Sequence, residues 1–327
     1  MKALIVGDIH VKTNNLDQIS TLQQVIISKI TELNPDFVVF LGDVLDYHEK
    51  IITPCLNKAC ELIKSVSSLC KLYVLVGNHD YISNTQFLSE NHWMNALKQW
   101  NNVIIVDKVI VNGEYTFCPY VYPGRLIEAL ETNKEYLTSK ILFCHQEFRG
   151  CDMGVVISES GDEYDTIKNF KYIVSGHIHD SQWLSNKVFY VGAPLQHAFS
   201  ESDKRILCLV NESSITEVPI HVHEKRTLRV NIDECHNVNV TNTDTVSWKV
   251  VITCTPSESK SFRKTSKYKQ LIKNAKIVFN CSTESSLHVT KEIVNTLDFV
   301  SVCKQKISKT KNSEILNDIL EESIKNL

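Results

Sequence analysis

No stretch of this 327-residue chain approaches the roughly 18 to 20 consecutive apolar residues that a membrane span requires. The opening Met1-Lys2-Ala3-Leu4-Ile5-Val6-Gly7 is too short an apolar run for a signal peptide. The expectation is a soluble, intracellular protein without a membrane partner, cytoplasmic or nucleoid-associated. A C-x-x-C pair is also missing, and the eleven cysteines are odd in number. Most of them (Cys70, Cys118, Cys144, Cys208, Cys254, Cys281) lie in or beside apolar runs, so they read as small buried hydrophobes in a reducing compartment. A large excess of either charge is missing too: 35 Lys and Arg against 38 Asp and Glu leave a formal net charge of −3, which provides no global basic footprint, so any nucleic-acid partner has to be met by a local patch or by a charged companion subunit. With only 10 glycines and 7 prolines, 43% hydrophobic and 22% charged residues, the chain is neither fibrous nor disordered. Its length is comfortable for two domains.

What is present, over the first two thirds, is an alternation of short β-rich runs and helical patterns, the signature of an α/β fold. Ala3 to Val6 is a buried strand ending in Gly7-Asp8-Ile9-His10. Leu16, Ile19, Leu22, Val25, Ile26, Ile30 and Leu33 then recur mostly at three and four, an amphipathic helix stopped at Asn34-Pro35. Phe37 to Leu41 runs into Gly42-Asp43-Val44-Leu45-Asp46. Thr53-Pro54 offers an N-cap and a proline at the first helical position, and Leu72 to Val76 feeds Gly77-Asn78-His79-Asp80. A helix carrying Trp93, Met94, Leu97 and Trp100 follows. Strands are then expected over 103–106, 109–111 and 115–121, and over 140–144, where the last ends at His145-Gln146-Glu147. Tyr172 to Val174 leads into Gly176-His177-Ile178-His179, and Lys187 to Val191 into Gly192-Ala193-Pro194. Every candidate functional side chain thus lies just past the C-terminal end of a strand, the edge where open α/β sheets bind their ligands.

Asp8, His10, Asp43, Asn78, His79, His145, His177 and His179 together offer carboxylate oxygen, imidazole nitrogen and amide oxygen without a thiolate. That set suits hard or borderline divalent ions, and its size fits two ions better than one. Two such ions about 3.5 to 4 Å apart support in-line attack on phosphorus.

Asp-x-His, Gly-Asp-x-x-Asp, Gly-Asn-His-Asp, a lone His after a strand and Gly-His-x-His, in that order, resemble the calcineurin-like metallophosphoesterase superfamily. The resemblance implies a two-sheet sandwich flanked by helices. It implies one metal on Asp8, His10, Asp43 and His179 and another on Asp43, Asn78, His145 and His177, with Asp43 as the bridge. His79 is then no ligand but the residue that protonates or steadies the leaving oxygen, while Asp80 either orients that ring or caps a turn. Four imidazoles in the ligand set favour Mn²⁺ over Mg²⁺, with Zn²⁺ or Fe²⁺ as alternatives. His48, His92, His221, His223, His236 and His288 match no motif and read as surface or partly packed residues.

Within the superfamily, Asp46-Tyr47-His48 and His79-Asp80 disfavour the protein-phosphatase branch. The run Gly192-Ala193-Pro194-Leu195-Gln196-His197-Ala198-Phe199-Ser200-Glu201, with Lys204-Arg205 beyond it, resembles DNA repair and recombination nucleases of the SbcD or Mre-eleven type, as does His145-Gln146. Compact phage-type recombination nucleases are nearest in size, so a phage or viral origin fits. The implied activity is that of a DNA exonuclease and endonuclease subunit in replication-linked recombination or double-strand-break repair. The implied partners are DNA and an SMC-like coiled-coil ATPase, with a homodimer left open. The alternative is a stand-alone enzyme for small phosphodiesters or nucleotides. Asp46 stands where several of those nucleases carry a histidine that admits DNA ends, and His197 lies close enough to the active edge to touch substrate.

From about Glu224 the composition shifts toward Ser, Thr, Asn and Lys. The division expected is a catalytic domain over 1–223, a small α+β capping domain over 224–305 resembling the cap of those nucleases, and a tether with a C-terminal helix over 306–327. Strand-like 247–254 and 276–281 flank a basic stretch containing Lys260, Arg263 and Lys264, either a solvated face or a contact for DNA phosphates. Ile315, Leu316, Ile319, Leu320 and Ile324 share one helical face, which either packs on the cap or docks the ATPase.

Overall fold

The computed structural model describes residues 1–48, 50–154 and 156–281. The C-terminal helix expected over 313–327, the tether before it, and His288 lie outside the described residues. In chain order the first elements are β1 (Lys2–Val6), α1 (Leu16–Leu33), β2 (Phe37–Phe40), α2 (Thr53–Ser67), β3 (Lys71–Leu75), β4 (Val103–Val106), β5 (Ile110–Asn112) and β6 (Tyr115–Cys118). They are followed by α3 (Leu126–Glu131), β7 (Ile141–Cys144), β8 (Tyr172–Ser175), β9 (Gln182–Trp183), β10 (Val188–Tyr190), β11 (Ile206–Asn211) and β12 (Ile215–Pro219). The last are β13 (Glu224–Asn231), β14 (Val246–Cys254), α4 (Pro256–Phe262), α5 (Ser266–Asn274) and β15 (Lys276–Cys281).

Two six-stranded sheets carry the first domain, in the orders β12-β11-β1-β2-β3-β4 and β5-β6-β7-β8-β10-β9. Strands β1 to β4 are mutually parallel, and so are β6, β7, β8 and β10. Period-two alternation along each strand sorts side chains between layers. Ala3, Ile5, Phe37, Val39, Tyr73 and Leu75 face the other sheet, where Tyr115, Phe117, Ile141, Phe143, Val174 and Phe189 meet them in one buried core. Their neighbours Leu4, Val6, Val38, Phe40, Leu72 and Val74 point outward onto α1 and α2. Leu142, Cys144, Ile173, Val188 and Tyr190 pack on the far side with Leu126, Ala129 and Leu130 of α3. The result is the expected sandwich of two sheets flanked by helices, with both faces of the central strands covered. Aromatic rings interlock across the gap: Tyr73 stacks on Phe117 with centroids 4.1 Å apart, and Phe37 meets Tyr115 edge-on at 5.2 Å.

Local details depart from expectation in three places. Thr53 opens α2 instead of capping it; Ile52 holds the cap position and no side chain bonds there. Trp93–Gln99 forms a 3₁₀ helix, and the fully buried Asp80 ties down its start by accepting a bond from the Trp93 indole at 2.9 Å. Cys70 is half-buried and Cys281 exposed, because Cys281 ends the edge strand β15. The stop of α1 is as the proline rule requires, with Asn34 at φ 44° donating its N–H to Ile30.

The third sheet, β13-β14-β15, is wholly parallel. Its small core gathers Cys235, Val238, Val250, Ile252, Leu271 and Ala275 under α4 and α5. Thr255 caps α4 in a reciprocal bond with Glu258, and Pro256 opens it.

Replacing Phe117, which touches Tyr73, Phe37 and Phe143, tests the inter-sheet core. Phe117→Ala is expected to lower unfolding free energy by about 3 to 5 kcal/mol in urea titration; a change under about 1 kcal/mol would show that the sheets do not depend on this interlock.

Candidate metal centre

Six strands of the two sheets end at one rim. Asp8 and His10 follow β1, Asp43 and Asp46 follow β2, and Asn78, His79 and Asp80 follow β3. His145 follows β7, His177 and His179 follow β8, and His197 follows β10. Turning side chains inward at that rim requires unusual backbone: His10, Asp43 and His177 have φ of 47°, 49° and 79°, half of the six described non-glycine residues in the left-handed region. Such conformations cost roughly 1 to 3 kcal/mol each and persist where surrounding structure enforces them. Gly42, at φ 110°, allows the β2 loop to pass where a Cβ would lie 2.7 Å from His145 Nδ1.

The centre is built around Asp43. Its Oδ2 lies 3.3 Å from His145 Nε2, 3.6 Å from His10 Nε2 and 4.0 Å from His79 Nε2, while Oδ1 accepts the His79 N–H at 2.8 Å. Asp8, fully buried, accepts the His177 N–H through Oδ2 at 2.8 Å, and its Oδ1 has no hydrogen-bond partner. His10 and His179 bring their Nε2 atoms within 3.2 Å of each other. Asn78 Oδ1 lies 3.0 Å from both His145 Nε2 and His177 Nδ1. The main-chain carbonyl of Leu41 accepts from His145 Nδ1 at 2.8 Å, leaving the Nε2 lone pair for the centre. Asp8, His10 and His179, and again Asp8, Asp43 and His145, place ligand atoms within 4.8 Å of one another.

These residues fit a pair of divalent cations. The fully buried Oδ1 of Asp8 has no hydrogen-bond partner within the protein, and the Nε2 atoms of His10 and His179 have only each other as hydrogen-bond partners, at 3.2 Å; a cation among them would supply a partner to all three. The proposed sets are the two that the motifs imply, with Asp43 shared. Electrostatics agree with a cation-seeking site. Burial works against ionisation of Asp43, yet the imidazoles of His145, His10 and His79 hold its carboxyl well below the usual range. Burial drives Asp8 upward, with the Asp43 charge adding to it. His145 is pushed up to about 9 because Asp43 and Asp8 outweigh its burial, whereas burial and neighbouring His145 push His177 down to about 3.

Several assigned roles change once distances are known. Asp80 does not orient His79: its carboxylate accepts from the main chain of Gly77, Val44 and Leu45 and from the Trp93 indole, so it laces the loops after β2 and β3 together. Burial and the Asp43 charge push it up to about 6. The His79 ring is instead held through Nδ1, 2.7 Å from the Asp46 carbonyl. Asp46 is no free substrate contact either, since its Oδ1 lies 3.1 Å from His10 Nδ1 and 2.8 Å from Lys12 Nζ; it backs a candidate ligand, as carboxylates do for metal-binding imidazoles. His197 is brought to the centre, its ring 4.9 Å from that of His10, with Nε2 3.3 Å from the Asp8 carbonyl. Lys260, Arg263 and Lys264 are exposed on the cap, where the Arg263 guanidinium lies 4.4 Å over Phe279.

Three residues had no assigned role. Glu201 Oε1 lies 3.4 Å from His179 Nδ1 and its carboxylate accepts the main-chain N–H of His197 and Ala198; its place in the Gly192–Glu201 run was the available signal. His48, expected at the surface or partly packed, is half-buried and stacks on His79 with centroids 4.4 Å apart and planes at 20°. His92 is buried and lies 3.1 Å from Asp107.

The family model described as calcineurin-like phosphoesterase matches residues 1–181. This chain belongs to that family. Among related phosphoesterases, "Putative phosphoesterase 078R" of Invertebrate iridescent virus 3 is 34% identical over 330 residues, covering 96% of this chain and 94% of that protein. "Putative phosphoesterase 244L" of Invertebrate iridescent virus 6 is 41% identical over 247 residues, covering 71% of this chain and 86% of that one. More distantly, "Exonuclease subunit 1" of Enterobacteria phage T4 is 28% identical over 161 residues, covering 47% of this chain and 46% of the phage protein. Calcineurin-like phosphoesterases use divalent metals, which agrees with the side-chain clusters at the rim. No described helix is long and apolar enough to cross a membrane.

Calorimetric titration tests the shared carboxylate. The wild-type phosphoesterase is expected to take up two Mn²⁺ per chain and Asp43→Asn to weaken both by at least tenfold, whereas two sites of wild-type affinity in the variant would exclude a bridge. Removing metal with a chelator should lower the melting temperature, and ion at 100 times its dissociation constant should restore about 2.7 kcal/mol.

Proposed function

We propose that this phosphoesterase is a two-metal phosphodiesterase acting on DNA, an exonuclease and endonuclease subunit in recombination or double-strand-break repair that works with an SMC-like ATPase. The observation that carries the chemical part is the placement of His79. Its Nδ1 faces a main-chain carbonyl acceptor, which fixes the proton on that nitrogen in the neutral ring, and its Nε2 faces the centre 4.0 Å from Asp43 Oδ2. A phosphodiester at the cluster would present its departing oxygen to that nitrogen, where the imidazolium form donates a proton. Asp8, His10, Asp43, Asn78, His145, His177 and His179 would hold the divalent ions, which when bound would supply charge neutralisation at the phosphate and activation of water. Asp46 and Glu201 hold the His10 and His179 rings at their far nitrogens, keeping Nε2 turned inward.

The nucleic-acid part is supported by the similarity to a phage protein named as an exonuclease subunit, a name that also presupposes companion subunits. Exposed Lys260, Arg263 and Lys264 on the cap are the residues proposed to meet DNA phosphates. Mn²⁺ is the proposed metal, because four imidazoles suit a borderline ion.

Purified protein with Mn²⁺, with and without an added SMC-like ATPase, is expected to release nucleotides from a labelled duplex. Turnover of bis(p-nitrophenyl) phosphate without DNA cleavage, even with the ATPase present, would instead establish a small-phosphodiester enzyme. His79→Ala should keep both metals and lose about 100-fold or more of its rate on DNA, with a smaller loss on p-nitrophenyl esters, whose leaving group needs no proton. Loss of a metal in His79→Ala would refute the acid assignment.

A further inference from the structure

Two cavities flank the centre, and they differ in charge among the described residues that line them. One, about 350 Å³, is lined by His177 and His179 together with three carboxylates, Asp152, Asp180 and Glu201. The other, about 490 Å³ and open to solvent, is lined by Tyr47, His48, Lys50, Ile82, Ser83 and Asn84. The second adjoins the candidate acid directly, because His48 in its wall is the residue stacked on His79. Its chemistry is unusual for a surface that meets water. Tyr47 is 46% exposed and Ile82 49% exposed, an aromatic plane and an aliphatic side chain in one groove, with an exposed lysine beside them.

We propose that this groove is a subsite for the nucleoside on the leaving side of the scissile bond, its base stacked on Tyr47 against Ile82, and Lys50 turned to the next phosphate. The proposal rests on the phosphodiesterase reading with His79 as the acid. In an in-line displacement the leaving oxygen departs on the side where the proton donor stands, so the group attached to that oxygen enters the cavity adjoining His79. Charge selects the same direction. A polynucleotide continuing from the centre carries one negative charge per residue, which the three carboxylates of the first cavity disfavour and the lysine of the second attracts. Tyrosine presents a planar face that any base can stack on without sequence preference, and small Ser83 and Asn84 leave room beside it. The groove thus specifies a base-bearing phosphodiester over a simple alkyl one.

Base stacking is read first without turnover, by titrating a 2-aminopurine mononucleotide with metal-free protein and following its fluorescence. Wild type and Tyr47→Phe should quench it, and Tyr47→Ala should bind at least about fivefold more weakly; equal quenching by Tyr47→Ala overturns the subsite. Turnover then locates it, using oligonucleotides with a base or an abasic sugar on the leaving nucleoside. Tyr47→Ala should lower kcat/KM by about 5- to 150-fold on the base-bearing substrate and leave the abasic one unchanged. Equal loss on both, or loss only when the abasic sugar is on the other side of the bond, overturns the assignment. A wild-type protein that quenches the probe yet cleaves no phosphodiester refutes the enzymatic reading, and the leaving-side placement with it, while leaving the base-binding groove in place.

Discussion

Two carboxylates withdrawn from water, Asp8 and Asp43, set the terms for the rest of the molecule. Burying one unpaired negative charge is costly and burying two within reach of each other more so. The protein meets this with a ring of imidazoles, each aimed by an acceptor on its far nitrogen: Leu41 carbonyl behind His145, Asp46 behind His10, Glu201 behind His179. The left-handed backbone at His10, Asp43 and His177 follows from the same demand, since ordinary extended exits from β1, β2 and β8 would keep sending side chains alternately to the two faces of the sheet instead of inward at the rim. Parallel strands make the arrangement attainable, because they end together on one edge.

How much of this the sequence disclosed depends on whether the signal was local. Strands β1, β2, β3, β7 and β8 are covered on both faces, so they read as unbroken apolar runs, and each stops at a polar loop whose residue types name the chemistry. The grouping of Asp8, His10, Asp43, Asn78, His145, His177 and His179 was therefore legible before any coordinates. Roles fixed by distance were not. Asp46 and Asp80 are equivalent as letters, yet one backs an imidazole and the other accepts four donors from two loops and an indole. His48 carries no motif, and only the turn after β2 brings its ring onto His79. The 3₁₀ form of 93–99 was hidden because apolar spacing of three and four suits both helix types, and the parallel order of the cap sheet because its connections carry no distinct letter code.

The segment from Gln196 to Glu201 ties the three-stranded sheet β13-β14-β15 to the centre. Gln196 accepts the Lys225 N–H at 2.6 Å, Lys225 Nζ donates to the His197 carbonyl at 2.9 Å, and Thr227 donates to the Phe199 carbonyl at 3.2 Å. The same few residues hold His179 through Glu201. The third sheet is thus attached beside the centre, its first strand bonded to Gln196, His197 and Phe199, which alternate with or adjoin the cavity-lining Ala198, Ser200 and Glu201.

The order in which the ribosome delivers these parts has its own consequence. Asp8 and His10 leave the exit tunnel early, but their partners His177, His179 and His197 lie 169 to 189 positions later, and β1 is closed on its outer side only by β11, which starts at Ile206. A chain made only to its midpoint holds Asp8, His10, Asp43, Asn78 and His145 but lacks His177 and His179, one from each of the two proposed ligand sets. Neither proposed ligand set is therefore complete until His177 and His179 have been made, past the midpoint of the 327-residue polypeptide, so the layout of the motifs ties completion of the centre to synthesis of both sheets.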